Sequence, residues 1–254
     1  NGRTLDNRVG DEGGVKTIRM FTDVTCTADD DFDPIGTEDT PFAGYVFDGN
    51  GYTLSGITLR NSAKPNQAVF GVVSKVTDSS GTTTGTTIRN LTVANIVIEG
   101  DDNVGALVGK TTGSDVLIDH CFTTGGDIQG NKNVGGLVGY CAPDTEIRNC
   151  SAATIAISGQ DNVGGFVGLN DGKVGNSYSD TKALVCYKSG CGFVGRNSAV
   201  IYNSYSAAAF SYGATGCGAF VGEFDAGSTG ANCFWNTECI NNTTCWRIVG
   251  NSKD

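Results

Sequence analysis

Apolar residues fall in short, evenly spaced bursts along much of this chain. Between Val104 and Gly222 one six-residue phrase recurs five times: Val104-Gly-Ala-Leu-Val-Gly109, Val134-Gly-Gly-Leu-Val-Gly139, Val163-Gly-Gly-Phe-Val-Gly168, Gly190-Cys-Gly-Phe-Val-Gly195 and Cys217-Gly-Ala-Phe-Val-Gly222. The closing glycines lie 30, 29, 27 and 27 residues apart. A second phrase, Ile88-Arg-Asn90, Ile118-Asp-His120, Ile147-Arg-Asn149, Val174-Gly-Asn176, Ile201-Tyr-Asn203 and Gly230-Ala-Asn232, keeps the same time. A third extended run, such as Ile96-Val-Ile98 or Thr154-Ile-Ala-Ile-Ser158, completes each unit. None of these segments has the 3.6-residue period of an amphipathic helix, and glycine at this density weakens a helix by ~1 kcal/mol per residue relative to alanine. β-branched runs bounded by Gly, Asn and Ser are strand signals. The pattern predicts an all-β chain in which three strands per 27–30 residues make one coil of a parallel β-solenoid, each coil burying its apolar face against its neighbours.

Stacking turns each recurring position into a ladder. Leu107, Leu137, Phe166, Phe193 and Phe220 are expected to run up the core. Asn90, Asn149, Asn176, Asn203 and Asn232 form a structural column interrupted by His120, since asparagine tolerates a left-handed bend and can hydrogen-bond to the coils on either side. Cys121 and Cys150 share a column in adjacent coils, which makes them the disulfide candidate, although two reduced thiols would fit as well. Cys233 shares that column, and its partner is expected at Cys239 or Cys245. Alternation sets Val108, Val138, Val167, Val194 and Val221 opposite the Leu/Phe side. That stripe is either covered by other chain or open as a protein-docking face, with Val138, Val167 and Val194 at its centre. Tyr178 and Tyr205 are equivalent residues with Trp235 near the next step. Exposed, they could hold sugar rings; buried, they extend the core.

Residues 1–100 are less regular and are assigned to an N-terminal cap and early irregular coils, the cap taking about the first 40. Residues 101–237 form the regular coils, and residues 238–254 a closing segment. Solenoid ends need such covers over their exposed cross-sections and edges.

Composition sharpens the functional side. A net charge of −10 and a pI near 4.5 oppose a nucleic-acid partner. No apolar run reaches the ~18 residues of a membrane span. The sequence starts at Asn1 without a charged, apolar leader, so it is expected to be a mature protein or an excised part of a longer one. Ten cysteines, an even number, favour an oxidising compartment, and disulfides are expected among them. With no C-x-x-C pair and His120 the sole histidine, a zinc finger or ribbon is not expected.

The repeated phrases resemble the GLUG-motif family, whose repeats occur in bacterial and archaeal surface adhesins and in the immunoglobulin A1 metallopeptidase family. The likeness extends to Asp23 through Pro34-Ile-Gly36, to Phe47-Asp-Gly-Asn-Gly-Tyr-Thr-Leu-Ser-Gly-Ile-Thr-Leu59, to Val69-Phe-Gly-Val72 and to Asn232-Cys-Phe-Trp-Asn-Thr-Glu238, which is similar to the family's Asn-Cys-Tyr-Trp-Asp closing phrase. Together these cover about residues 20–240. Cys191 and Cys217 depart from the motif. The resemblance implies a right-handed parallel β-helix on a secreted or cell-wall-anchored protein, with no defined activity for the repeats.

Candidate chemistry is sparse. The His-Glu-x-x-His zinc helix of a metallopeptidase needs two histidines, and His120 as a serine-protease-type base sits in the Asn column, where a turn residue is the simpler reading. Asp102 and Asp161, with Lys132 between them, form a loop column better suited to solvation than to glycoside hydrolysis. Asp29, Asp31 and Asp33 make the densest acidic group and a weak calcium candidate, without the EF-hand spacing. The expectation is a non-catalytic, cofactor-free β-solenoid segment of a larger extracellular, adhesin-like protein that binds a host or matrix protein or a glycan, or presents another domain. The alternatives are a polysaccharide lyase or glycoside hydrolase and a passive stalk.

Overall fold

The computed structural model describes residues 9–12, 15–27, 30, 32–154, 156–212 and 216–236. The described residues are all-β, and they build a parallel β-solenoid of about seven turns. One full coil runs through the strands Thr86–Arg89, Thr92–Ala94, Val97–Glu99, Val104–Gly105 and Val108–Thr112, and each belongs to a different sheet, numbered one to five here in that order. Strands pair in parallel with their equivalents in the adjacent coils, as Ile88 pairs with Ile118, Ile118 with Ile147, Ile147 with Val174 and Val174 with Ile201, and the third sheet shifts register by one residue where Leu184 faces Phe210 and Val185 faces Tyr212. The stack starts earlier than the regular phrases: Val15–Arg19 and Val24–Thr25, within the expected cap, already pair in parallel with Tyr45–Asp48 and Thr53–Ser55. The antiparallel strand Val9–Glu12 closes the end of the first sheet, and a small antiparallel hairpin, Val76–Thr77 with Thr83–Thr84, loops out of an early coil. The closing segment 238–254 lies outside the described residues.

The coil has five strands where the pattern predicts three, because two features add corners. The glycine-rich phrase does not run straight; it bends at its middle pair, Ala106–Leu107 in one coil, so that its two halves enter different sheets. The run after the Asn corner adds the short second sheet. Corners are made by residues in the left-handed region. Asn90, His120, Asn149, Asn176, Asn203 and Asn232 all have φ between 46° and 55°. The Asn149 Nδ2 donates to Asp119 Oδ1 at 2.9 Å, Asn203 Nδ2 to Asn176 Oδ1 at 3.1 Å and Asn232 Nδ2 to Asn203 Oδ1 at 3.0 Å. A second ladder turns the corner before the fourth sheet: Asn103 donates to Asn66, Asn133 to Asn103 and Asn162 to Asn133 at 2.8–3.0 Å, again with positive φ.

The Leu107, Leu137, Phe166, Phe193 and Phe220 column is buried along its whole length, and the Phe166–Phe193 and Phe193–Phe220 rings lie 4.8 Å apart and nearly parallel. The valine column is buried too. Val138, Val167 and Val194 are fully removed from solvent, so they carry no docking face. The bend explains this, because it folds the two halves of the phrase against each other. A Cβ on Gly164 would meet Val167 O at 2.0 Å, and one on Gly168 would meet Asn133 C at 2.4 Å and Val134 N at 2.5 Å in the adjacent coil. Backbone packs on backbone here, and only hydrogen fits between. Hydroxyls from the interior of the coil serve the bend's carbonyls: Thr123 Oγ1 donates to Gly136 O at 2.9 Å and Thr181 Oγ1 to Gly165 O at 3.3 Å.

Cys121 and Cys150 stack as expected, but they are two thiols and not a bridge. In-register neighbours carry parallel Cα–Cβ bonds, which holds their Cβ atoms near the strand spacing of about 4.8 Å, beyond the ~3.5–4.5 Å a disulfide needs. The column has another task. Cys150 Sγ accepts the Cys121 N–H at 3.3 Å, Ser177 Oγ accepts the Cys150 N–H at 3.2 Å and Ser204 Oγ accepts the Ser177 N–H at 3.4 Å. Serine and cysteine thus serve alike as inward acceptors for a corner amide. Cys239 and Cys245, the expected partners of Cys233, lie outside the described residues.

Candidate functional site

The outward positions of the second sheet place aromatic side chains in solvent. Phe122 pairs with Ser151, Ser151 with Tyr178, Tyr178 with Tyr205 and Tyr205 with Phe234, so all five stand in one column. Phe122, Tyr178, Tyr205 and Phe234 are 40, 48, 39 and 65 % exposed, whereas Ser151 is buried between its larger neighbours and makes a step in the row. Tyr178 and Tyr205 therefore take the exposed alternative. Trp235 does not join them: it pairs with the buried Ser206 and packs partly buried against the core, and Phe234 occupies the third rung instead. The shared spacing of Asn176-Ser-Tyr178, Asn203-Ser-Tyr205 and Asn232-Cys-Phe234 carries that register in the sequence itself.

Beside this row run the carboxamides of Asn176, Asn203 and Asn232, all exposed. An amide group has two N–H donors and an oxygen with two lone pairs. Asn203 spends one donor and one acceptor site on its ladder bonds, which leaves hydrogen-bonding capacity facing solvent. The row itself contains no charged residue. On its other flank Asp180 and Lys182 form an ion pair at 2.7 Å.

The adjoining first sheet is charged. Arg19, Asp48, Arg89, Asp119 and Arg148 alternate in sign up one column, with Arg89–Asp48 at 3.1 Å and Arg148–Asp119 at 3.4 Å. The column ends at Gly175, over which the Tyr202 ring lies, its hydroxyl donating to Glu146 at 3.2 Å. Burial by itself would raise the Asp48 carboxyl, but the Asn90 amide, the Asn50 N–H and Arg89 outweigh it and hold its pKa below the ordinary value. Asp119 is likewise lowered, burial being overcome by Asn149 and Arg148. A carboxylate whose pKa is depressed by folding contributes stability that is complete above its unfolded pKa and is lost as the pH falls through the folded one. Melting temperature is therefore expected to hold down to about pH 4 and fall below it. The Asp48→Asn, Asp119→Asn double variant should start lower and lose less over that acid range in a thermal melt series; an unchanged acid slope would contradict this.

His120 stands at its corner 56 % exposed, with Nδ1 at 2.8 Å from Asp119 Oδ1. The carboxylates of Asp115, Asp144 and Asp171 line the corner between the fifth and first sheets, where Tyr140 donates to Asp171 at 2.8 Å. Burial and that carboxylate push the Tyr140 hydroxyl up to about 12. Lys132 and Asp161 pair across the fourth sheet, and Asn131 bridges Asp101 and Asp102. Asp29 and Asp31 lie outside the described residues; Asp33 lines a shallow polar pocket with Arg60, Lys64 and Gln67. Among the described residues no three His, Cys, Asp or Glu side chains converge to hold a metal ion, and no helix is long and apolar enough to cross a membrane.

The fold and the site together define the class: a parallel β-solenoid whose second sheet exposes an aromatic row flanked by a carboxamide ladder. In sequence, the chain is 33 % identical to halomucin of Haloquadratum walsbyi over 142 residues, 54 % of this chain and 1 % of halomucin, so it matches only a small piece of a far longer protein. In structure it is similar to a Bacteroides ovatus protein provisionally named an immunoglobulin A1 protease, with a TM-score of 0.67 at 18 % identity, covering 89 % of this chain and 71 % of that one. That likeness shows the solenoid fold. No protein-family model matches the sequence.

Proposed function

We propose that the chain is a non-catalytic, GLUG-like solenoid segment of an extracellular or cell-surface protein, and that it docks a host or matrix protein or a glycan on the second sheet. The exposed row of Phe122, Tyr178, Tyr205 and Phe234 carries this reading, because aromatic side chains supply large contact area and usually end up buried. Similarity to a protein named as a mucin supports the extracellular setting, and the acidic, repeat-built rod suits it. Much of the first sheet's charge is tied into ion pairs that serve the fold, which favours adhesion over chemistry. A passive stalk is the second reading, favoured by the small share of halomucin that this chain matches.

The test is retention of the chain on immobilised matrix proteins and on a glycan panel, for the wild type and a Tyr178→Ala, Tyr205→Ala double variant. Both residues are about half exposed, so the variant should fold normally. Binding is expected to weaken about tenfold or more, summing two aromatic contacts. Binding that survives the double substitution would remove the row from the account, and no binding on any surface would leave the stalk.

A further inference from the structure

We infer that the row takes an uncharged oligosaccharide chain laid along the rod axis, with its sugar rings on Tyr178, Tyr205 and Phe234 and its hydroxyls on the Asn176, Asn203 and Asn232 carboxamides. This rests on the reading that the row is a docking face, and it names the occupant. Three properties select it. First, the row is narrow. Tyr178 to Phe234 covers two coil steps, about 10 Å, at one strand spacing each. A stable protein interface needs roughly 800 Å² from each partner, far more than three half-exposed side chains offer. An extended chain one ring wide matches such a strip. Second, the strip is neutral. It contains no Lys, Arg, Asp or Glu, Asp180 and Lys182 pair with each other, and the whole chain is strongly acidic, so a polyanionic glycan finds repulsion and no cationic anchor. Third, its two lanes differ in kind. Aromatic faces carry negative π-density that suits the C–H-rich face of a ring with equatorial substituents. The carboxamides alongside keep donors and acceptors for hydroxyls at the ring's edge.

The step at Ser151 gives the inference a second, independent handle. It separates Phe122 from the other three aromatics in an otherwise continuous column. Ser151→Tyr would join them into a row four coil steps long, about 19 Å.

The experiment measures calorimetric affinity of the whole chain for β-1,4-linked gluco-oligosaccharides from the disaccharide to the hexasaccharide. Heparin fragments of matched length and a collagen serve as the other arms. Affinity for the neutral series should rise with each added ring and level off once the row is filled. Tyr178→Ala and Tyr205→Ala should each weaken it about three- to tenfold, and Ser151→Tyr should move the plateau to longer chains. If Ser151→Tyr fails to fold, the two alanine variants carry the test. Neutral binding without length dependence or indifferent to the alanine variants, or a preference for heparin, overturns the inference. Collagen binding lost in the alanine variants, without glycan binding, overturns the sugar and keeps the docking face. Row-independent binding, or none at all, overturns both.

Discussion

Gly168→Ala is expected to cost the fold about 3 kcal/mol or more, the upper end of what overpacking does. Nothing in its own backbone angle requires glycine; what requires it is the coil beneath. The added methyl would lie 2.4 Å from Asn133 C, 2.5 Å from Val134 N and 2.6 Å from Gly139 O, all backbone atoms held by the stack, so no side chain can swing away to make room. Gly81 offers the contrast. It lies in open space with φ +83°, so alanine there meets only the left-handed strain of about 1–2 kcal/mol. Urea unfolding of the two variants should therefore separate widely. If Gly168→Ala lost no more than Gly81→Ala, the close approach of successive coils at the bend would be wrong.

Phe193→Ala should destabilise by about 3–5 kcal/mol, the range for emptying a large aromatic site in a core that cannot close up. Its ring is packed between Phe166 and Phe220 at 4.8 Å on both sides, so truncation opens a gap inside the stack and strips each neighbour of one face. Collapse into that gap is resisted by in-register pairing of Val194 with Val167 and Val221 on the strand that follows. Phe193→Leu should cost much less, because leucine fills the same column at Leu107 and Leu137. Chemical denaturation of the pair checks both values, and equal losses from Ala and Leu would contradict a close-packed ladder.

What could be read from the sequence followed from period. The Leu/Phe core and the Asn corners recur at coil spacing in residue types whose roles differ sharply, so stacking could be inferred from one without the other. What escaped depends on direction. Two cysteines one coil apart satisfy the Cα distance of a disulfide, but parallel stacking aims both side chains the same way. Gly164 and Gly168 look like loose links in a strand, and only the neighbouring coil shows that they mark a bend, which doubles the strands in the glycine-rich phrase and buries Val138, Val167 and Val194. The Asn103, Asn133 and Asn162 ladder was present in the repeated Asn-Val-Gly phrases, yet its residues sit beside the stronger apolar signal. Tyr178 and Tyr205 are legible as equivalents, but Trp235 falls on the inward side and Phe234 on the outward one, and residue size says nothing about which face of a strand a side chain takes.

Label-to-label distances up one outward column test the in-register stack most directly. Thr87, Leu117, Glu146, Lys173, Val200 and Thr229 pair in sequence along the first sheet, so a label fixed at Thr87 can be combined in turn with one at Glu146, Lys173, Val200 or Thr229. Electron-spin distance measurements on the folded chain should increase in equal steps of about 4.8 Å, reaching about 24 Å at Thr229. Distances that fail to grow with coil number would show that these residues do not lie over one another, and the aromatic row would lose its foundation with them.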